Sequence, residues 1–90
     1  MANHFNRLTP GEAELLALLL EEMGEAQQVI GKVLRHGYDS THPDGGPDNR
    51  MLLEKEVGDV LAAVDLLVSE HDLNADQLDK HRLAKHRKVA

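Results

Sequence analysis

The sequence predicts an all-α fold: two long antiparallel helices plus a shorter C-terminal helix, with burial completed by oligomerisation. Three observations predict it. Apolar residues recur every three or four positions through residues 15–34 and 52–68, with no strand-like alternation. One stretch alone, "HGYDSTHPDGGPD" at 36–48, concentrates glycine and proline as a long connection does. The chain has 90 residues and only Phe5 and Tyr38 as aromatics, so its core is small and aliphatic. Helices with so little to pack against finish burying themselves in an oligomer.

Residues 1–8 read as a flexible N-terminal arm, 9–88 as a single helical domain and 89–90 as the C-terminal end. Helix 1 starts at Thr9-Pro10-Gly11-Glu12. Thr9 caps, Pro10 suits the first helical position, and Glu12 completes a capping box. Leu15, Leu18, Leu19, Met23, Ala26, Val29, Ile30 and Val33 then keep helical spacing up to Leu34. Gly24 and Gly31 each weaken this helix by about 1 kcal/mol relative to alanine. A neighbouring helix or a ligand approaching closely is the expected reason for them. Asp48 or Asn49 caps helix 2, which runs to about Glu70. "HDLN" turns the chain, Asn74 caps, and residues 75–88 form a third, weaker helix.

The lack of cysteine excludes disulfides and thiolate metal sites. The net charge of −6 is unevenly spread. Residues 1–79 hold all sixteen acidic residues and five of the ten Lys and Arg, a balance of −11. Lys80, Arg82, Lys85, Arg87 and Lys88 supply the rest. So acidic a body repels nucleic acid except at its tail, so nucleic acid is not an expected partner. No apolar run reaches the length of a membrane span, and the N-terminus does not resemble a signal peptide. The expected setting is the cytoplasm, with no membrane partner.

The chemistry lies in where the acids point. On helix 1 one stripe reads Leu18, Glu22, Glu25, Val29, Lys32; on helix 2 its counterpart reads Leu52, Glu56, Asp59, Ala63, Leu66. Both follow the alternating spacing of a packing seam, and in both the middle two positions are acidic. Antiparallel helices joined by one loop bring the two pairs to similar height. Four carboxylates in a partly desolvated groove repel unless they are protonated or held by a metal. All-oxygen ligands suit hard cations, Mg²⁺ or in its place Mn²⁺. The bland alternative is a pair of solvated faces, but two pairs in register with apolar seams weigh against it. A di-iron bundle is disfavoured, because it wants Glu-x-x-His motifs and the third residues after Glu22 and Glu56 are acids.

"EEMGE" (21–25), followed after thirty residues by "EVGD" (56–59), resembles the EExxE…ExxD signature of MazG-like, all-α nucleoside triphosphate pyrophosphohydrolases. "IGKVLRHGY" (30–38) and "NRMLLEKEVGDVLAAVDLL" (49–67) look like the short single-domain members of bacteria and phages. The resemblance spans roughly residues 9–88. It implies a four-helix-bundle core completed by oligomerisation, as a homodimer or homotetramer, and a Mg²⁺-dependent hydrolase that cleaves a nucleoside triphosphate to the monophosphate and pyrophosphate. Carried over, the metal ligands are Glu22, Glu25, Glu56 and Asp59, with Glu21 and Glu22 as the catalytic pair. Glu21 lies one position off the seam, where it either orders a water or second metal or is simply solvated. The rival class is a non-catalytic helical module that senses nucleotide or binds a protein partner.

Further residues are candidates for substrate contact. Lys32 continues the ligand stripe and meets phosphate or a carboxylate, unless it snorkels to water. Arg35 does the same or serves the helix dipole. Asn49 caps helix 2 or touches the nucleotide, the cap being the favoured role. Tyr38 is the one ring in the loop able to stack on a base. Asp65, slightly off the stripe, meets a sugar, a base or another subunit, or stays exposed. Asp39, Asp44 and Asp48 miss the calcium-loop pattern and read as turn chemistry. The basic tail reads as a solvated helix end; reaching across a dimer to triphosphate is its alternative.

Overall fold

Thr9 starts the first helix through its hydroxyl, which accepts a hydrogen bond from the Glu12 backbone N–H at 3.1 Å. The Glu12 carboxylate returns one by accepting from the Thr9 N–H at 2.8 Å, closing the capping box. These contacts come from a computed structural model of the protein, which describes residues 5–90. Residues 1–4 of the expected arm lie outside the described residues. Helix α1 spans Pro10–His36, α2 spans Asn49–Ser69 and α3 spans Ala75–Val89. The described residues contain no strand, so the all-α expectation holds.

Gly37 ends α1. Its N–H donates to the Val33 carbonyl at 2.7 Å and its φ of 87° lies where a side chain is strained. The loop then folds back on the start of α2. The Asn49 N–H donates to Ser40 O at 3.0 Å and the Arg50 N–H to Tyr38 O at 2.9 Å. Thr41 and Asp48 form an isolated antiparallel bridge. Asp48, not Asn49, is the N-cap: its carboxylate accepts from the Met51 N–H at 2.9 Å. The favoured capping role for Asn49 is thereby corrected. Asn49 is the first residue of α2, buried, and its side-chain amide donates to Gly37 O at 3.1 Å.

The two long helices run antiparallel, with Leu15 near Leu66 at one end and Lys32 near Leu52 at the other. Ala26, Val29, Ala63 and Leu67 are buried between them, Leu67 almost completely. Leu18, Leu19, Val33, Leu52, Leu53 and Val60 are half-buried around this small centre. Asn74 caps α3 by accepting from the Gln77 N–H at 3.0 Å. No residue of α3 is buried, and it makes no extended packing with α1 or α2. The radius of gyration is 16.7 Å, against roughly 12 Å for a compact domain of this length. No described helix is long and apolar enough to cross a membrane.

Candidate metal centre and the adjoining pocket

Helical spacing places Glu22 and Glu25 one turn apart on α1, and Glu56 and Asp59 one turn apart on α2. The antiparallel packing faces the two pairs toward each other. Each of the four offers a carboxylate oxygen, and all these atoms lie within 4.8 Å of one another. Leu18 and Val29 flank the pair on α1, and Leu52 and Ala63 flank the pair on α2; all four are buried or half-buried. Water therefore reaches the carboxylates mainly from one side.

Their electrostatics are strained. One oxygen each of Glu22 and Glu56 (Oε2 in both) is buried without a hydrogen-bond partner, which costs free energy unless something charged or donating fills the gap. The Glu25 carboxyl is held above its ordinary value, first by a hydrogen bond with Glu56, then by the charge of Glu22 and by partial burial. A cation answers all three conditions. Opposite oxygens on one ion are about 4 Å apart for Mg²⁺ and about 5 Å for Ca²⁺. The cluster thus fits a hard divalent cation, and its four carboxylates are the donor type such ions take.

Lys55 also touches this cluster, and periodicity arguments centred on the acids missed it. Its ammonium lies 2.8 Å from Asp59 Oδ2 and 3.6 Å from Glu56 Oε1. The hydrogen bond with Asp59, followed by the charges of Asp59 and Glu56, raises the lysine above its ordinary value. A signal was present in the chain, because Lys55 and Asp59 are four residues apart on one helix.

The remaining candidates separate. Lys32, Arg35 and Asn49 line one pocket of about 520 Å³ together with His36, Ser40, Thr41, His42 and Leu52. Among the described residues no carboxylate lines it, which is notable in so acidic a chain. It adjoins the metal candidates: Lys32 follows Glu25 by seven residues, about 10 Å of helix rise. Its loop residues were invisible to helical periodicity and are brought in only by the fold-back of residues 37–48. Tyr38 lies elsewhere, in a cleft with Leu53, Val57 and Leu61, and the Arg50 guanidinium sits 4.9 Å from its ring centroid. Arg50 is also paired with Asp39 at 2.6 Å. Glu21 and Asp65 are exposed and do not join the four.

At Gly24 a Cβ would meet nothing within 4 Å, so among the described residues no neighbouring helix requires the glycine. At Gly31 a Cβ would meet only the mobile end of Arg35, at an ordinary 3.5 Å.

No family model matches the chain, and no curated protein or solved structure matches it.

Proposed function

We propose that the protein is a Mg²⁺-dependent nucleoside triphosphate pyrophosphohydrolase of the MazG-like, all-α kind, with Mn²⁺ able to substitute. The observation that carries this reading is the convergence of Glu22, Glu25, Glu56 and Asp59 within 4.8 Å across two helices. The cationic pocket beside them supports it, since an acidic protein acting on a triphosphate needs positive groups next to its metal ligands.

In this reading Glu22, Glu25, Glu56 and Asp59 hold the ion. When bound, it supplies positive charge to the phosphate oxygens and acidifies water. Lys32 and Arg35 orient the phosphate chain from the adjoining pocket, and Asn49 keeps that pocket in shape through Gly37. Glu21, at the exposed rim next to Glu22, orders the attacking water or passes its proton to solvent. Attack at the α-phosphorus forms the new P–O bond, and the bridging oxygen to the β-phosphorus leaves with pyrophosphate.

The working unit in this proposal is a homodimer or homotetramer. The chain exposes 7289 Å², whereas a folded monomer of 10.0 kDa is expected to expose roughly 5200 Å². Leu16, Leu20, Met23, Ile30 and Leu34 are all exposed and follow one stripe of α1 beside the seam. A second copy covers that stripe and completes a four-helix core.

The test is pyrophosphate release from a panel of ribo- and deoxyribonucleoside triphosphates, with Mg²⁺ and with EDTA, on the wild type and on separate alanine variants of the four acids. Metal-dependent release that each variant loses, with its helical circular dichroism kept, is the expected result. Activity retained in any two variants overturns the assignment. Silence of the wild type across the panel points instead to the non-catalytic module.

A further inference from the structure

The carboxylate cluster already carries one cation of its own. Lys55 sits on α2 one residue before Glu56 and four before Asp59, and its ammonium contacts both. The two acceptors differ from those of an ordinary surface pair such as Arg82–Asp79. Asp59 and Glu56 belong to a group of four carboxylates within 4.8 Å, and the Glu56 side chain is only 14% exposed. Lys32, the cation on the α1 stripe, follows Glu25 by seven residues, about 10 Å of helix rise. Glu22 and Glu56 each keep one buried oxygen with no partner, so a single lysine satisfies the cluster only in part.

We infer that Lys55 is a tethered counter-cation, which offsets the charge of Asp59 and Glu56 before a divalent ion binds and is displaced from Asp59 when it does. The inference rests on the metal reading proposed above. A dication on Asp59 competes for the same negative charge that holds the ammonium 2.8 Å from Oδ2. The ammonium is then left a few ångströms from two further positive charges, which repel it even in a watery dielectric. The lysine therefore weakens metal binding while it stabilises the metal-free fold. Its side chain is 64% exposed, so once the carboxylate contacts are given up it can swing into solvent. The released ammonium stays beside the site, where an incoming polyanion is the natural new partner.

Calorimetric titration of the full chain with Mn²⁺ at fixed pH and salt tests this, with thermal melting in EDTA as a second readout. The proteins are the wild type, Lys55→Met, Lys55→Arg and Lys80→Met. Lys55→Met should bind Mn²⁺ about three- to twentyfold more tightly, a range set by loss of a partly exposed ion pair and of the repulsion. Lys55→Arg keeps the charge and should stay within about twofold of wild type. Lys80→Met removes the same charge from α3 and should also stay within about twofold, because screening limits distant charges. In EDTA, Lys55→Met should melt below wild type and recover when Mn²⁺ is added. Should Lys55→Met not fold, Lys55→Gln carries the same expectation. Affinity unchanged or weakened in the neutral variant overturns the inference, as does equal tightening in Lys80→Met. These results leave the metal reading standing, since the wild type still binds. If neither wild type nor the neutral variant binds Mn²⁺, the metal reading fails and the inference with it.

Discussion

Glu25 of α1 and Glu56 of α2 face each other across the helical seam, each with a carboxylate oxygen in a cluster no wider than 4.8 Å. A hydrogen bond with Glu56, then the charge of Glu22 and partial burial, hold the Glu25 carboxyl above its ordinary value. The folded state therefore binds a proton at Glu25 that the unfolded chain has released, over a window that opens at 4.5 and extends upward. The stability that Glu25 contributes is complete below that ordinary value and is lost as pH rises through the raised one. In EDTA, the melting temperature of the wild type relative to Glu25→Gln should rise on acidification from about neutrality toward 4.5. Thermal melts followed by circular dichroism across that range check it. A metal needs the carboxylate, so Mn²⁺ binding should tighten with pH over the same window.

Neutral replacement of the orphaned carboxylates should separate stability from metal binding. Glu22→Gln and Glu56→Gln each remove a negative charge from the cluster and add an amide able to donate to a neighbour. The metal-free protein should gain about 1 kcal/mol, or about 4–8 °C in melting temperature for a chain this small. Added Mg²⁺ or Mn²⁺ should then raise the melting temperature of these variants far less than that of wild type. A metal-free loss of stability would show instead that the acids serve the fold.

Asn49 should behave as a structural residue with a functional shadow. Its buried amide donates to Gly37 O, and removing it leaves that carbonyl unpaired between the loop and α1. Asn49→Ala should cost about 1–3 kcal/mol in urea unfolding. Because the pocket with Lys32 and Arg35 is built on the same loop, substrate KM should rise in this variant more than kcat falls.

Lys32→Met and Arg35→Met bear on the pocket itself. Each removes a cation from a site that no acid lines. Affinity for triphosphate should fall about tenfold for each, within the range of a charge-assisted hydrogen bond, while Mn²⁺ affinity holds. Equilibrium binding of a non-hydrolysable triphosphate measures the first quantity and calorimetry the second.

Leu20 reports on assembly. It is 74% exposed on the α1 stripe, where a second copy is proposed to pack. Sedimentation should give a mass above the chain's 10.0 kDa, and Leu20→Glu should lower both that mass and the melting temperature. A wild type that sediments as a monomer at all concentrations removes the oligomer from the proposal.

The helices were legible because their causes are local. Thr9 with Glu12, Asp48 or Asn49, and Asn74 are start signals that act over three residues, and all three helices begin there. The two acidic stripes were equally legible, since a period of 3.6 residues fixes which side chains share a face. Their convergence followed from one further fact, that a single loop joins two helices which pack antiparallel.

What the chain alone determined, then, is the three helices, their caps and the two pairs of acids set into apolar seams. Tertiary structure decided the rest, for reasons of position between elements rather than along them. Only the folded loop shows that Asp48 takes the cap while Asn49 turns inward to Gly37, because both residue types satisfy the local signal equally. Only packing reveals that His36, Ser40 and His42 join Lys32 in one pocket while Tyr38 faces another. And only the three-dimensional site shows Lys55 resting on Asp59 and Glu56, because an i, i+4 pair acquires meaning from what its acceptor faces on the opposite helix.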